Sequence, residues 1–167
     1  NEPMVSEPVA IAWDGNGRMY VAQMETYMQT IDARDQNKPN SRIMILEDTD
    51  QDGIMDQSSV FLDSLVLPRM ILCVGEELLV NETHTYDIHA YSDHNGDGKA
   101  DQKRTVFRSD EKAYGNVEHQ RSGLDWNLDN WIYVTIDPVR FRYKKGMLVL
   151  DSLLLLIMCG VLLRQRL

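Results

Sequence analysis

Cysteine is nearly absent from this sequence, and its scarcity removes several functions at once. Cys73 and Cys159 form no CxxC pair, so neither a disulfide framework nor a thiol redox motif is present. No CxxCH occurs, so the chain carries no site for covalently attached haem. The four histidines show neither the HExxH nor the HxxxH spacing of a zinc centre. Positive charge is also sparse. Seventeen Lys and Arg stand against 26 Asp and Glu, a net charge of −9 that argues against nucleic acid as a partner. Helical periodicity is weak before residue 147. The opening NEPMVSEP has neither the charged nor the apolar region of a signal peptide, so a leader is expected to be already removed or to lie outside this sequence.

What remains is the composition of a folded, acidic domain. Its 167 residues are 43% apolar and 26% charged. The charge is uneven. Residues 1–138 hold 11 Lys and Arg against 25 Asp and Glu, whereas residues 139–167 hold six against Asp151 alone. That last part contains MLVLDSLLLLIMCGVLL, whose uninterrupted apolar run is Leu153 to Leu163. As a helix it would reach only about 16 Å, roughly half a bilayer core. The expected division is therefore 1–150 as a β domain and 151–167 as an apolar, basic tail. The tail reads as a buried segment or the product of a truncated or shifted reading frame, with a membrane anchor as the alternative.

The chain repeats itself. RIMILEDTDQDGIMDQSSVF (42–61) matches DIHAYSDHNGDGKADQKRTVF (87–107), pairing Ile43 with Ile88 and Ile45 with Ala90. VAIAWDGNGRMYVAQ (9–23) matches SGLDWNLDNWIYVTI (122–136), with Trp13 and Trp126, Tyr20 and Tyr133, and Val21 and Val134 each 113 positions apart. MILCVGEELLVNE (70–82) fits the second template with a shorter turn. Each unit reads as strand, tight turn, strand. Alternating plain and acidic hairpins give four strands per 45–60 residues, the size of one propeller blade. The expectation is an all-β, partial β-propeller of about two and a half four-stranded antiparallel blades; the alternative is an ordinary antiparallel sandwich. A propeller typically closes with 4–8 blades, so the chain is expected to be part of a longer protein, or its open edges to be covered by something else.

The acidic turns carry the clearest chemistry. With Asp48 as position 1 of DTDQDGIMD, Asp50, Asp52, Ile54 and Asp56 take positions 3, 5, 7 and 9. In DHNGDGKAD the same places belong to Asp93, Asn95, Asp97, Lys99 and Asp101. Calcium takes six to eight oxygens, and this spacing wraps carboxylates plus the carbonyl of residue 7 around one ion. Position 12 is Ser59 or Arg104, so the bidentate glutamate of an EF-hand is missing, and the flanks read as strands. Calcium affinities of about 10⁻⁴–10⁻³ M, as in extracellular modules, are expected. A solvated Asp/Asn/Gly turn without an ion is the alternative.

His119, in NVEHQRSGLDWNLDNWIY, stands just before the strand that holds Leu124 and Trp126. In a propeller that strand is the innermost of its blade, and its preceding loop lies near the axis where ligand pockets form. A histidine there suits general-base work near neutral pH. His84, His89 and His94 read as surface residues, with His89 sharing a strand face with Tyr91.

EPVAIAWDGNGRMYVAQMETY, RIMILEDTDQDGIMD, LVLPRMIL, DHNGDGKAD and NVEHQRSGLDWNLDNWIY together resemble the N-terminal propeller of bacterial membrane-bound dehydrogenases, over roughly residues 1–150. Those proteins often end in a CxxCH cytochrome c domain and are distantly similar to six-bladed, pyrroloquinoline-quinone-dependent soluble sugar dehydrogenases. The resemblance implies an exported or periplasmic protein that oxidises a sugar or alcohol. His119 would take the hydroxyl proton, the adjacent carbon would give hydride to the quinone, and a cytochrome partner would receive the electrons. Leu128-Asp129-Asn130 departs from the commoner Pro-Asp-Gly turn, and the later blades that would supply an arginine and further cofactor contacts are absent. The other function considered is a non-catalytic, calcium-stabilised propeller that binds glycans or a protein.

Overall fold

Twelve strands and one short 3₁₀ turn make up the computed structural model, which describes residues 3–111, 113 and 116–152. Among these residues there is no α-helix. The first sheet contains β1 (Pro8–Trp13), β2 (Met19–Gln23), β3 (Ser41–Glu47) and β4 (Gln57–Leu65). The second contains β5 (Pro68–Val74), β6 (Glu77–Glu82), β7 (Ile88–Ser92) and β8 (Gln102–Phe107). The third contains β9 (Gly123–Trp126), β10 (Ile132–Val134), β11 (Val139–Lys144) and β12 (Met147–Ser152). Each sheet is a four-stranded antiparallel meander in chain order.

The third unit is thus complete rather than partial. RFRYKKGMLVLD folds back on itself through Lys145 and Gly146, both at positive φ, and Lys144 pairs with Met147. The start of the sequence-defined apolar tail is therefore a strand, and β12 runs past residue 150 to Ser152. The apolar run Leu153 to Leu163 lies outside the described residues. No helix among the described residues is long and apolar enough to cross a membrane.

Period-two alternation puts apolar side chains on both faces of the middle sheet, which explains how three sheets share two cores. From β6, Leu78 and Val80 join Tyr20, Ala22, Ile43, Ile45 and Phe61 of the first sheet. Leu79, one register step away, joins Ile88, Leu124, Ile132 and Phe141 in the core toward the third sheet. The pairs that the repeat aligned, Ile43 with Ile88 and Ile45 with Ala90, are all buried on the side facing the next sheet. Edge-on aromatic pairs fasten each core, Tyr20 on Phe61 at 5.1 Å and Phe107 on Phe141 at 5.0 Å between centroids.

The first strands of the three sheets are neighbours, β1 beside β5 and β5 beside β9. Each has a register irregularity, near Val9, Arg69 and Leu124 respectively. The sheets do not close on themselves. Antiparallel connection sends successive turns to alternate ends of the stack. One end, the turn end, carries both acidic loops together with the tight turns at 14–18, 75–76, 127–131 and 145–146. The other, the loop end, carries 24–40, 83–87 and the segment with His119.

Phe141 is fully buried in the second core. Phe141→Ala should cost about 3–5 kcal/mol, a large part of a domain's stability. Urea unfolding checks this; a loss below about 1 kcal/mol would mean that the second core is not packed as described.

Candidate functional site

The acidic loops share one backbone design. The carboxylate at position 1 accepts the N–H groups of positions 5 and 6: Asp48 from Asp52 and Gly53 (3.2 and 2.8 Å), Asp93 from Asp97 and Gly98 (3.2 and 2.7 Å). Position 5 accepts from position 7, Asp52 from Ile54 (2.8 Å) and Asp97 from Lys99 (2.9 Å). Position 9 accepts from position 2, Asp56 from Thr49 (3.2 Å) and Asp101 from His94 (2.9 Å). Gly53 and Gly98, at φ +90° and +83°, make the reversal that a side chain resists. Sequences that differ at five of the nine positions therefore fold alike, because their aspartates cap the same donors.

In the first loop, Asp48, Asp50 and Asp56 bring oxygens within 4.8 Å of one another. Asp52 is not part of that group of side chains. Three convergent carboxylates repel each other, and a hard divalent cation offsets the repulsion. In the second loop Asn95 stands where the first has Asp50, so Asp93 and Asp101 lack the third acid. Asn95 Nδ2 is instead 3.4 Å from Asp97 Oδ2, and Lys99 is exposed.

The second loop also bridges two sheets. The Ala100 N–H donates to the Phe61 carbonyl of β4 at 3.0 Å. Beside it, a cleft of about 450 Å³ is lined by Arg18, Glu47, Glu76, Asp93 and Gly96. The corresponding link from the second sheet to the third comes from Arg104, at position 12. Its guanidinium pairs with Glu77 at 2.5 Å, reaches the Tyr143 hydroxyl at 2.9 Å and donates to the Gly146 carbonyl. Arg104 holds the Glu77 carboxyl below its ordinary range, with Tyr143 assisting and partial burial opposing.

His119 lies at the loop end, closing the 3₁₀ turn Val117–His119 that Asn116 caps. Its ring is exposed, while its neighbours Val117, Gln120 and Arg121 are buried. The flanking contacts come from distant parts of the chain. Arg69 donates to the Val117 carbonyl at 2.6 Å and to Thr83 Oγ1 at 3.0 Å. Tyr27 donates to Glu118 at 2.9 Å, which raises the tyrosine's pKa. Gln120 accepts the His84 backbone N–H at 2.8 Å and presents its amide nitrogen to His84 Nδ1 at 3.1 Å. Arg121 pairs with Asp137 at 2.9 Å and stacks 4.2 Å over Tyr86. Gly123 follows at φ +104°, where an added Cβ would sit 3.2 Å from the Tyr133 carbonyl. Buried Leu124 holds φ +88°, a strained value for a branched side chain.

The histidine that the sequence singled out is thus presented on a braced turn, about one strand length from the acidic loops. No motif announced Arg69, Tyr27, His84 or Gln120. Their partners lie 36 to 91 positions away in sequence. The expected face shared by His89 and Tyr91 is present, with ring centroids 6.4 Å apart. His84 is exposed yet clamped, and His94 is an exposed member of the second loop.

A quinone bearing carboxylates calls for cations with donors to spare. Arg121 is neutralised by Asp137, and two of Arg69's nitrogens are committed to Val117 and Thr83. Neither of the two clefts described, the one above and one of about 820 Å³ along β4, reaches His119. The described residues around His119 do not by themselves make a quinone cradle.

The Gly98 N–H, with those of Gly96 and Asp97, holds the partly buried Asp93 carboxyl below its ordinary range, against an opposing effect of burial second in size to that of Gly98. A depressed carboxylate contributes stability above its unfolded value, near 3.9, and loses it as pH falls through the lowered folded value. An NMR titration should therefore place the Asp93 midpoint below about 3.9. Asp93→Asn should remove that part of the acid dependence, and a midpoint at or above the ordinary value would contradict the capped geometry.

A search of curated proteins finds no match to the chain. The sequence profile of DUF7133, a domain of unknown function, matches residues 1–146. That span takes in all three sheets up to the β11–β12 turn, both acidic loops and His119. The chain belongs to the DUF7133 family.

Proposed function

We propose that the three sheets are successive blades of a β-propeller, that calcium occupies the acidic turns, and that the opposite end bears the functional surface of an exported sugar or alcohol dehydrogenase. The observation that carries this reading is the neighbouring of β1, β5 and β9, with His119 on the segment leading into β9. First strands gathered on one side are what a propeller axis requires. The exposed imidazole of His119 is suited to take the proton of a substrate hydroxyl, while the contacts of Asn116, Arg69 and Gln120 fix its turn. A quinone would supply hydride-accepting chemistry, and its contacts would come from other parts of the closed propeller, with a cytochrome as electron acceptor. Calcium has a structural role here, relieving the repulsion among Asp48, Asp50 and Asp56 in the turn between β3 and β4.

A second reading is a calcium-stabilised binding module for glycans or a protein. It is favoured by the His119 ring, which has no hydrogen-bond partner among the described residues to orient it as a base.

Two measurements test these readings. Calcium at ten times its dissociation constant should stabilise the chain by about 1.4 kcal/mol per site. Asp48→Asn should remove the first loop's share; a melting temperature indifferent to millimolar calcium would dismiss the metal. In the intact propeller supplied with pyrroloquinoline quinone, His119→Ala should lower dye-coupled aldose or alcohol oxidation by about 10²–10⁴-fold. Failure of the intact propeller to bind quinone would leave the binding module.

A further inference from the structure

Where the first two sheets meet at the turn end, the cleft of about 450 Å³ is lined with charges that do not balance. Arg18 comes from the β1–β2 turn, Glu47 from the end of β3, Glu76 from the β5–β6 turn and Asp93 from the second acidic loop. Arg18, the one cation in this lining, is held by Asp14 at 2.6 Å, and that carboxylate is 5% exposed. Glu47 and Glu76 join none of the ion pairs among the described residues. Asp93 accepts only backbone N–H groups of its own loop. Three carboxylates therefore line the cleft without a cation of their own.

The same cleft holds an unused hydroxyl. Tyr20 is 5% exposed, with its ring packed edge-on against Phe61 in the first core. Its hydroxyl has no hydrogen-bond partner among the described residues, and Arg18 and Glu76 of the cleft wall are among the charges that act on it. Burial pushes this hydroxyl up to about 12, so it stays protonated at neutral pH. The repeat supplies the comparison. Tyr133 stands 113 positions after Tyr20, and its hydroxyl donates to Asp129 at 2.6 Å. The residue 113 positions before Asp129 is Asn16, which also lines the cleft. The first unit thus keeps the tyrosine and lacks the acid that satisfies it, which leaves the hydroxyl free to meet what enters the cleft.

A single metal ion does not answer this arrangement. Among the described residues, the acids whose oxygens come within 4.8 Å of one another are Asp48, Asp50 and Asp56, and Glu47, Glu76 and Asp93 make no such group. Negative charges held apart are matched by positive charges held apart on one ligand. We propose that the cleft binds a small aliphatic polyamine, with its ammonium groups on Glu47, Glu76 and Asp93 and one N–H on the Tyr20 hydroxyl. An ammonium group donates three hydrogen bonds and accepts none, which suits a wall of acceptors. The volume lies at the lower end of small-molecule sites, as a ligand of this size requires. The inference needs only the first two sheets packed as described, and rests on neither the propeller nor the role of His119.

Calorimetric titration of the chain with spermidine tests the site. One-site binding should appear at low salt and weaken as salt rises. Tyr20→Phe keeps the ring and should weaken binding about tenfold. Glu76→Gln, at an exposed position, should weaken it about two- to fivefold. Both variants should keep the wild-type circular dichroism. Glu111→Gln removes the same charge from an exposed position elsewhere and should leave binding unchanged. In NMR spectra, the amides of Glu76 and Gly96 should shift before that of Gly53 in the first acidic turn. Asp93 serves both the cleft and its own loop, so it is left intact. No binding heat, an equal loss in Glu76→Gln and Glu111→Gln, wild-type binding by Tyr20→Phe, or Gly53 shifting first would each overturn the inference. The second result would mean diffuse attraction to an acidic surface, and the last would mean capture by the acidic turn.

Discussion

Burial on both faces of the second sheet is the constraint on which the rest depends. A sheet with water on one side needs only one apolar set of side chains. Here β6 supplies two, Leu78 and Val80 toward the first sheet and Leu79 toward the third. The outer sheets are thereby held side by side, and β1, β5 and β9 are brought together. A one-residue slip in β6 would exchange the two sets and misfit both cores.

That stacking gives the turns their roles. At the turn end, neighbouring sheets meet through polar contacts, and two solutions appear. Between the first and second sheets an acidic loop lies against β4 through Ala100. Between the second and third, Arg104 gathers Glu77, Tyr143 and Gly146. A residue that departs from an EF-hand ligand set is here an inter-sheet tie. At the loop end, bracing of the His119 turn comes from all three sheets and their connections, and the strained Leu124 lies immediately beyond it.

Much of this was legible in the sequence, because turn chemistry and alternation are local. The hairpins and the acidic turns follow from residues a few positions apart, and the residues that the repeat aligned, Ile43 with Ile88 and Ile45 with Ala90, are all buried. The completeness of the third sheet was hidden because MLVLDS runs directly into an apolar segment and reads as part of it. The braces at His119 were hidden for a different reason. Arg69 reaches Val117 and Tyr27 reaches Glu118 only after distant strands have stacked, and no local pattern encodes such meetings.

The central claim is a division of labour between two ends of one stack: cations at the acidic turns, and His119 at the far end. A lanthanide titration followed by NMR tests it most directly. The account predicts that a paramagnetic ion at low stoichiometry broadens the amides of Gly53 and then Gly98, while the His119 ring signals, about 20 Å away along the strands, stay sharp. Broadening of His119 before either glycine, or no preference for the acidic loops, would contradict it.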